Sequence, residues 1–303
     1  MAFLETLSLI VGQTILPISL VVLVGFILAR RMALNTQTIG RVTFYLFSPA
    51  LIFRGLYQTD LDYKTVGRTA LLAVILFVVT GLLGWLSSAK EERRRRAAVA
   101  LTSALSNNGN MGMSVSLFAF GAPGLALATI YFVTTAFLGN TLGVFVASSG
   151  KATPLEALRR TTRVPMLYAA CLGLLMGYFQ VGLPVGLMRA VDTLADAAVP
   201  ALLVLLGAQL SLAPIQGRQR VLVRTALIRL VGGPILALLL CLLWNVQGLE
   251  RTIVILQASM PTAVSATVLA TEYDAAPNLV ATIVALTTIV SLVSVSGVLW
   301  MLS

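Results

Sequence analysis

The stretch Ser106–Ser114, SNNGNMGMS, places three asparagines and two glycines in the middle of a hydrophobic segment. Apolar residues flank it at Ala97–Leu105 and at Val115–Gly121, and the whole segment is long enough to span a bilayer. Asparagine and glycine are poor helix formers, and an unpaired amide in hydrocarbon is costly. The stretch therefore predicts a transmembrane helix that is interrupted near its centre.

The composition of the chain is that of an integral membrane protein. Of its 303 residues, 58% are hydrophobic and only 11% are charged, and the mean hydropathy is +0.95. A soluble domain carries about 25% charged residues. Because this chain has too few charges to cover a folded core with a polar surface, we predict an all-α polytopic protein of the cell (inner) membrane, in contact with the lipid bilayer.

Apolar segments of the length that a spanning helix needs, about 20 residues, recur along the whole chain. Five lie in residues 1–147 and five in residues 164–303, on either side of a basic cytoplasmic linker at residues 148–163. The ten predicted spans are Leu7–Leu28, Ile39–Tyr57, Val66–Ser87, Ala97–Ala119, Gly124–Ala147, Val164–Leu183, Leu187–Leu210, Val221–Trp244, Thr252–Glu272 and Asn278–Leu302.

Basic residues predict the orientation of these spans. Most of the 21 lysines and arginines fall in the loops after odd-numbered spans. Cytoplasmic loops carry an excess of such residues, so both termini are expected outside, on the periplasmic side. The net charge of +10 is scattered over short loops and forms no single patch, which argues against nucleic acid as a partner.

An internal repeat relates the two halves of the chain. Residues Ala122–Thr135, APGLALATIYFVTT, resemble Ala276–Thr288, APNLVATIVALTT, with one inserted residue. Because each half has an odd number of spans, two such copies have opposite orientations in the bilayer. The sequence therefore predicts two inverted five-helix repeats, an architecture of secondary transporters.

The fourth and ninth spans are repeat partners, and both are predicted to be broken. Pro261 lies near the midpoint of the ninth span, where it cannot donate to the carbonyl of Gln257 and so frees that group. Two broken helices related by inversion would cross near the bilayer midplane. The amides that begin their second halves would then form a site for an anion.

Small and polar residues within spans also have purely structural interpretations. The Gly139–Gly143 and Gly173–Gly177 spacings predict close helix packing. Asp192 and Asp196 share one helical face with Arg189 nearby, which favours a surface charge cluster, although an intramembrane aspartate is also a functional candidate.

Three motifs together resemble the auxin efflux carrier family. They are NNGNMGM at Asn107–Met113 with the helix that follows it, MPTAVSATVLATEY at Met260–Tyr273, and FYLFSPALIFRGL at Phe44–Leu56. The resemblance covers nearly the whole chain and is to a bacterial-type member. It implies ten spans with crossed fourth and ninth helices. It further implies a scaffold of helices 1, 2, 6 and 7, a moving transport domain of helices 3–5 and 8–10, and a homodimer.

The site residues that we predict surround the two breaks. The asparagines would bond a carboxylate, the glycines would permit the first break, Pro261 would make the second, and Pro49 would kink the facing wall. The substrate-binding candidates are Asn107, Asn108, Gly109, Asn110, Gly112, Pro261, Thr262, Ser265 and Pro49, with Tyr131, Asn140, Gln209 and Gln257 as weaker ones.

The predicted function is alternating-access transport of a small organic anion, either an auxin-like carboxylate or a dicarboxylate. A receptor or a channel on the same fold is the alternative, although no charged pore ring is evident. The chain has no histidine and no catalytic constellation, so we expect neither an enzyme nor a cofactor. The coupling ion is left open between sodium and protons, with sodium considered near Gln257 and Asn107.

Overall fold

The computed structural model describes residues 11–32, 34–59, 62–148, 162, 164–212 and 219–302, and within these ranges the regular elements are all helices. The linker predicted at residues 148–163 lies outside the described residues apart from Ser148 and Thr162. In chain order the helices are α1 (Gly12–Met32), α2 (36–57), α3 (Tyr63–Ser87), α4 (Arg93–Ala104), α5 (Asn108–Ala147), α6 (Pro165–Tyr178), α7 (Val185–Ser211), α8 (Gln219–Leu243), α9 (Gly248–Ala258), α10 (Ser265–Glu272) and α11 (Pro277–Leu302).

Six of these helices are long and apolar enough to cross a membrane, namely α1, α3, α5, α7, α8 and α11. The other predicted segments are also helical, but their helices are shorter or interrupted. The prediction of an all-helical membrane protein is thereby confirmed.

The outer surface of the helices is suited to lipid. Large apolar side chains are about half exposed on several helices, as at Leu20 of α1, Leu82 of α3, Leu172 of α6 and Leu239 of α8. Exposing such an apolar surface to water is unfavourable, whereas contact with the hydrocarbon of a bilayer is favourable. The helices therefore form an integral membrane protein.

Glycines bring two pairs of helices into backbone contact. A Cβ atom on Gly207 of α7 would stand 1.9 Å from the carbonyl oxygen of Val22 in α1. On α6, a Cβ atom on Gly173 would stand 2.8 Å from the carbonyl oxygen of Phe53, and one on Gly177 would also meet the backbone of α2. The close packing predicted for the Gly173–Gly177 spacing is confirmed.

The charged residues at the start of α7 face α2. Nη1 of Arg54 lies 2.6 Å from Oδ1 of Asp196 and 3.8 Å from Oδ1 of Asp192. This contact agrees with the predicted charge cluster, but its cation comes from a distant helix and not from the neighbouring Arg189. Helix α7 runs unbroken from Val185 to Ser211.

A sharp turn divides α5 into two arms. Gly121 has φ 64° and ψ −157°, a region that is essentially restricted to glycine, and Pro123 follows it. The turn separates the helix that follows the first break from the predicted fifth span.

Replacing Gly121 with alanine should destabilise the protein by about 1–3 kcal/mol, because a side chain is strained in this conformation. Thermal denaturation in detergent micelles measures the change. Gly297→Ala is the matched control, since Gly297 lies within α11 with open space around it and should melt no lower than wild type. Equal melting temperatures for Gly121→Ala and wild type would contradict this assignment of strain.

Candidate functional site

Both of the predicted interruptions are present. Helix α4 ends at Ala104 and α5 begins at Asn108, while α9 ends at Ala258 and α10 begins at Ser265. The first break lies earlier than predicted, at residues 105–107, because Asn108–Gly112 already form a π-helical turn. Gly109 and Gly112 therefore lie just after the break and not within it.

The two breaks are joined by an antiparallel backbone bridge between Ser106 and Thr262. The amide of Asn107 donates to the carbonyl oxygen of Pro261 at 2.7 Å, and the amide of Ala263 donates to that of Leu105 at 2.8 Å. Backbone groups that are released by one broken helix are thus satisfied by the other, as buried polar groups require.

A threonine from each of the repeated Thr-Thr pairs accepts a hydrogen bond from a residue at or next to one of the breaks. Nδ2 of Asn108 donates to Oγ1 of Thr135 in α5 at 3.2 Å. In the second half, the amide of Thr262 donates to Oγ1 of Thr287 in α11 at 3.1 Å. Each Thr-Thr pair of the internal repeat therefore supplies a hydrogen-bond acceptor to one break, through its second threonine in the first half and its first threonine in the second half.

A cavity of about 490 Å³ lies beside the joined breaks, between α2, α5, α7 and α10. A volume of this size suits a small molecule. The predicted residues that line it are Asn107, Gly109, Asn110 and Ser265, together with the weaker candidates Asn140 and Gln209.

The structure places other candidates behind the wall of the cavity. Thr262 is fully buried and its Oγ1 donates to the carbonyl oxygen of Thr102. Gln257 is fully buried as well, and its Nε2 donates to Oγ of Ser116. Gly112 packs against Gln257, since a Cβ atom there would stand 2.2 Å from Oε1. These residues support the breaks from outside the lining.

Three further candidates also lie outside the lining. The carbonyl of Pro261 belongs to the backbone bridge, and Tyr131 is buried in an apolar cluster between α3, α8 and α9. Pro49 follows a π-helical turn in α2, at Thr43–Phe47, and Phe44 of that turn lines the cavity, as does Ser48, the residue before Pro49. Pro49 itself does not line the cavity, and the kink predicted there stays a prediction.

The polar part of the cavity supplies several hydrogen-bond donors, beside Gln209, whose buried Oε1 acceptor has no partner among the described residues. Helix first turns leave amides without intrahelical acceptors, and Gly109, Asn110 and Ser265 belong to the first turns of α5 and α10. The buried Nδ2 atom of Asn107 has no hydrogen-bond partner among the described residues. Arg41 supplies a cation, and none of the described lining residues is acidic. This arrangement favours an anion.

Sequence reasoning missed several parts of the site. Arg41 and Phe132 both line the cavity, although neither is among the predicted site residues. A Cβ atom at Gly109 would stand 2.7 Å from the ring of Phe132, so this glycine makes room for the ring. Phe132 belongs to the next predicted span, Gly124–Ala147, and an aromatic residue within an apolar span carries no local signal that could have placed it at the site.

The carbonyl predicted to be free at Gln257 is in fact occupied. Pro261 cannot donate to it, but the amide of Met260 does so at 3.3 Å. The chain turns more tightly after Ala258, so the next available amide replaces the missing one. This carbonyl is therefore a weaker sodium ligand than the sequence predicted.

Interrupted helices that contribute polar groups to a shared cavity within an apolar helical shell are typical of membrane transporters. The chain belongs to the Membrane transport protein family, whose sequence pattern matches residues 10–299. The predicted relationship to the auxin efflux carriers, which belong to this family, is thereby confirmed.

Curated relatives match the chain over almost its whole length. An "Uncharacterized transporter" of Methanothermobacter thermautotrophicus is 29% identical over 93% of this chain and 95% of its own. Another, from Methanocaldococcus jannaschii, is 26% identical over 96% and 98%. A "Putative malonate transporter" of Rhizobium meliloti is 25% identical over 95% and 94%. These relatives and the family identify the chain as a membrane transporter.

Proposed function

We propose that the protein is a secondary transporter that moves a small organic anion by alternating access, with its site beside the joined breaks. One observation carries the proposal: the first turns of two helices and the unpartnered amide of Asn107 face one cavity whose described lining has no acidic residue. Converging donors of this kind are how discontinuous helices hold anionic groups.

The proposed architecture is ten spans in two inverted repeats, with the fourth and ninth helices crossed. The reciprocal bonds of Asn107 and Ala263, and the paired contacts of Thr135 and Thr287, support it. By the distribution of basic loops, the start of α2 and its Arg41 face the cytoplasm. The cavity reaches that residue, so the proposed state is open inward.

The proposed moving boundary separates a scaffold of α1, α2, α6 and α7 from the remaining helices. The glycine contacts of α1 with α7 and of α6 with α2 support a rigid scaffold, as does the ion pair of Arg54 with Asp196. The cavity has walls from both groups, so relative movement would alter its access. The homodimer implied by the family resemblance is part of the proposal.

The proposed substrate is a carboxylate of modest size, and a dicarboxylate such as malonate is the leading candidate. Amides at the breaks suit one carboxylate, while Arg41 of α2, which lines the same cavity, can pair with a second. The name of the Rhizobium relative, which refers to malonate, supports the same class. Phe132 and Phe44 give the cavity an apolar surface that the apolar or aromatic part of a substrate can contact. Auxin-like acids are therefore included in the substrate screen.

A screen of organic acids by thermal stabilisation of the purified protein tests the substrate. A bound anion should raise the melting temperature with concentration, because a ligand that binds only the folded state stabilises it. Counterflow of the labelled acid in proteoliposomes then tests transport. Counterflow indicates a carrier, binding without counterflow indicates a receptor, and a conductance without saturation indicates a channel. The last two results would overturn the proposal.

A further inference from the structure

Arg229 is a buried cation that the proposed anion site does not use. It lies in the π-helical turn Ile228–Gly232 of α8 and is 2% exposed. Its Nη1 atom donates to the carbonyl oxygen of Ser103 at 2.8 Å, and its Nη2 atom donates to that of Ala258 at 2.6 Å. These carbonyls belong to the last turns of α4 and α9, so one guanidinium joins both helices just before their breaks.

The ends of α4 and α9 account for the burial of this charge. The C-terminus of a helix carries about half a negative charge, so two such ends together balance one cation. Within the described ranges, no carboxylate forms an ion pair with Arg229. The Nη1 atom also approaches the carbonyl oxygen of Ala104, at 3.5 Å. Backbone carbonyls are thus the counter-charge of this arginine.

The local chain is shaped to admit the guanidinium. A Cβ atom on Gly233 would stand 2.9 Å from Nη2 of Arg229 and 2.6 Å from the carbonyl oxygen of Ala258. The π-helical turn widens α8 at the same level. Such turns are rare and often occur at functional sites. The backbone around Arg229 is therefore shaped to accommodate its guanidinium group in one defined position.

In ion-coupled carriers, carbonyls of unwound backbone and the C-terminal ends of half-helices coordinate the coupling cation. Groups of the same kind surround Arg229 here. We propose that Arg229 is a tethered cation that takes the place of a coupling sodium ion, so that anion transport by this protein does not require sodium. The inference rests on the proposed transport function, and it replaces the sodium considered near Gln257 and Asn107.

Replacement of sodium by choline on both sides of proteoliposomes tests the inference on the wild-type protein. The uptake rate of the anion identified by counterflow should be unchanged, because the tethered charge is present in every cycle. Uptake that rises with sodium and saturates would overturn the inference while leaving anion transport established. Counterflow that fails in both media would instead overturn the proposed function.

A second test uses the variant Arg229→Ala and needs no substrate. Removal of the guanidinium leaves two buried helix ends without a counter-charge, so the variant should melt at a lower temperature. Millimolar guanidinium chloride should restore part of the loss, and sodium chloride should restore more than choline chloride does. Wild-type protein should show neither response. A lower melting temperature that no cation restores would show a packing role only and would overturn the inference.

Arg224→Ala is the matched control, because it removes the same charge from the same helix. Arg224 lines a groove with Leu83 and Leu227, and its buried Nε and Nη2 atoms form no hydrogen bond among the described residues. Its melting temperature should not respond to guanidinium. Arg229→Lys keeps a cation but cannot fork to two carbonyls, so it should fold and remain independent of sodium. Sodium-dependent transport by the lysine variant would count against the inference, even if the alanine variant does not fold.

Discussion

Alanine at Asn107 should reduce the apparent affinity for the transported anion by about 10- to 100-fold, while the protein still inserts and folds. Asn107 lines the cavity, and its buried Nδ2 donor has no hydrogen-bond partner among the described residues. A hydrogen bond to a charged group is worth about 1.5–3 kcal/mol, and each 1.4 kcal/mol is a factor of ten. The backbone bonds of Asn107 to Pro261 and Gly112 do not involve the side chain and remain.

Uptake as a function of substrate concentration in proteoliposomes measures this effect, and gel filtration verifies the fold. Asn110→Ala should behave in the same direction, since Asn110 also lines the cavity. Asn278→Ala is the matched control: it is an exposed asparagine in the first turn of α11, away from the cavity, and should transport like wild type. Normal uptake by both cavity variants would refute the proposed site.

Valine at Gly207 should abolish the folded protein or lower its stability by at least about 3 kcal/mol. A Cβ atom here would stand 1.9 Å from the carbonyl oxygen of Val22, whereas non-bonded carbon atoms pack at about 3.5–4.0 Å. The obstacle is backbone and cannot rotate away, so α1 and α7 would have to separate along their length. Overpacking a core of side chains costs about 1–3 kcal/mol. The cost should be higher here because backbone atoms can shift less than side chains.

Gly186→Val provides the comparison for this prediction, because Gly186 lies on the same helix with nothing near its missing Cβ. Fluorescence-detected gel filtration after heating gives the melting temperature of each variant. Gly186→Val should remain close to wild type. If Gly207→Val melted at the same temperature as Gly186→Val, the close backbone contact between α1 and α7 would be refuted.

Much of the fold could be predicted because membrane spans are encoded by local composition. Ala97–Ala119 and Thr252–Glu272 were identified by hydropathy, and their interruptions by residue types that weaken a helix wherever they occur. Pro261 lacks an amide hydrogen in any context. The repeat of Ala122–Thr135 in the second half of the chain could likewise be found by comparing stretches of sequence, which requires no knowledge of contacts in the folded protein.

The details of the site could not be predicted because they depend on contacts between distant segments. The first break starts before Asn108, since Leu105 and Asn107 gain partners at Ala263 and Pro261 that a helix could not offer. Arg229 illustrates a signal that was present but not used: an ionisable residue within a span is by default a functional candidate. Its partners, however, follow only from the packing of α8 against the ends of α4 and α9.

The bridge between Ser106 and Thr262 has a consequence for how cargo can be released. Its two backbone bonds join the discontinuous helices, so separating them would leave buried amides without acceptors. In the proposed transport cycle the two breaks would therefore move together. The gate would then open between the joined breaks and the walls that α2 and α7 contribute to the cavity, and not between the two helix halves.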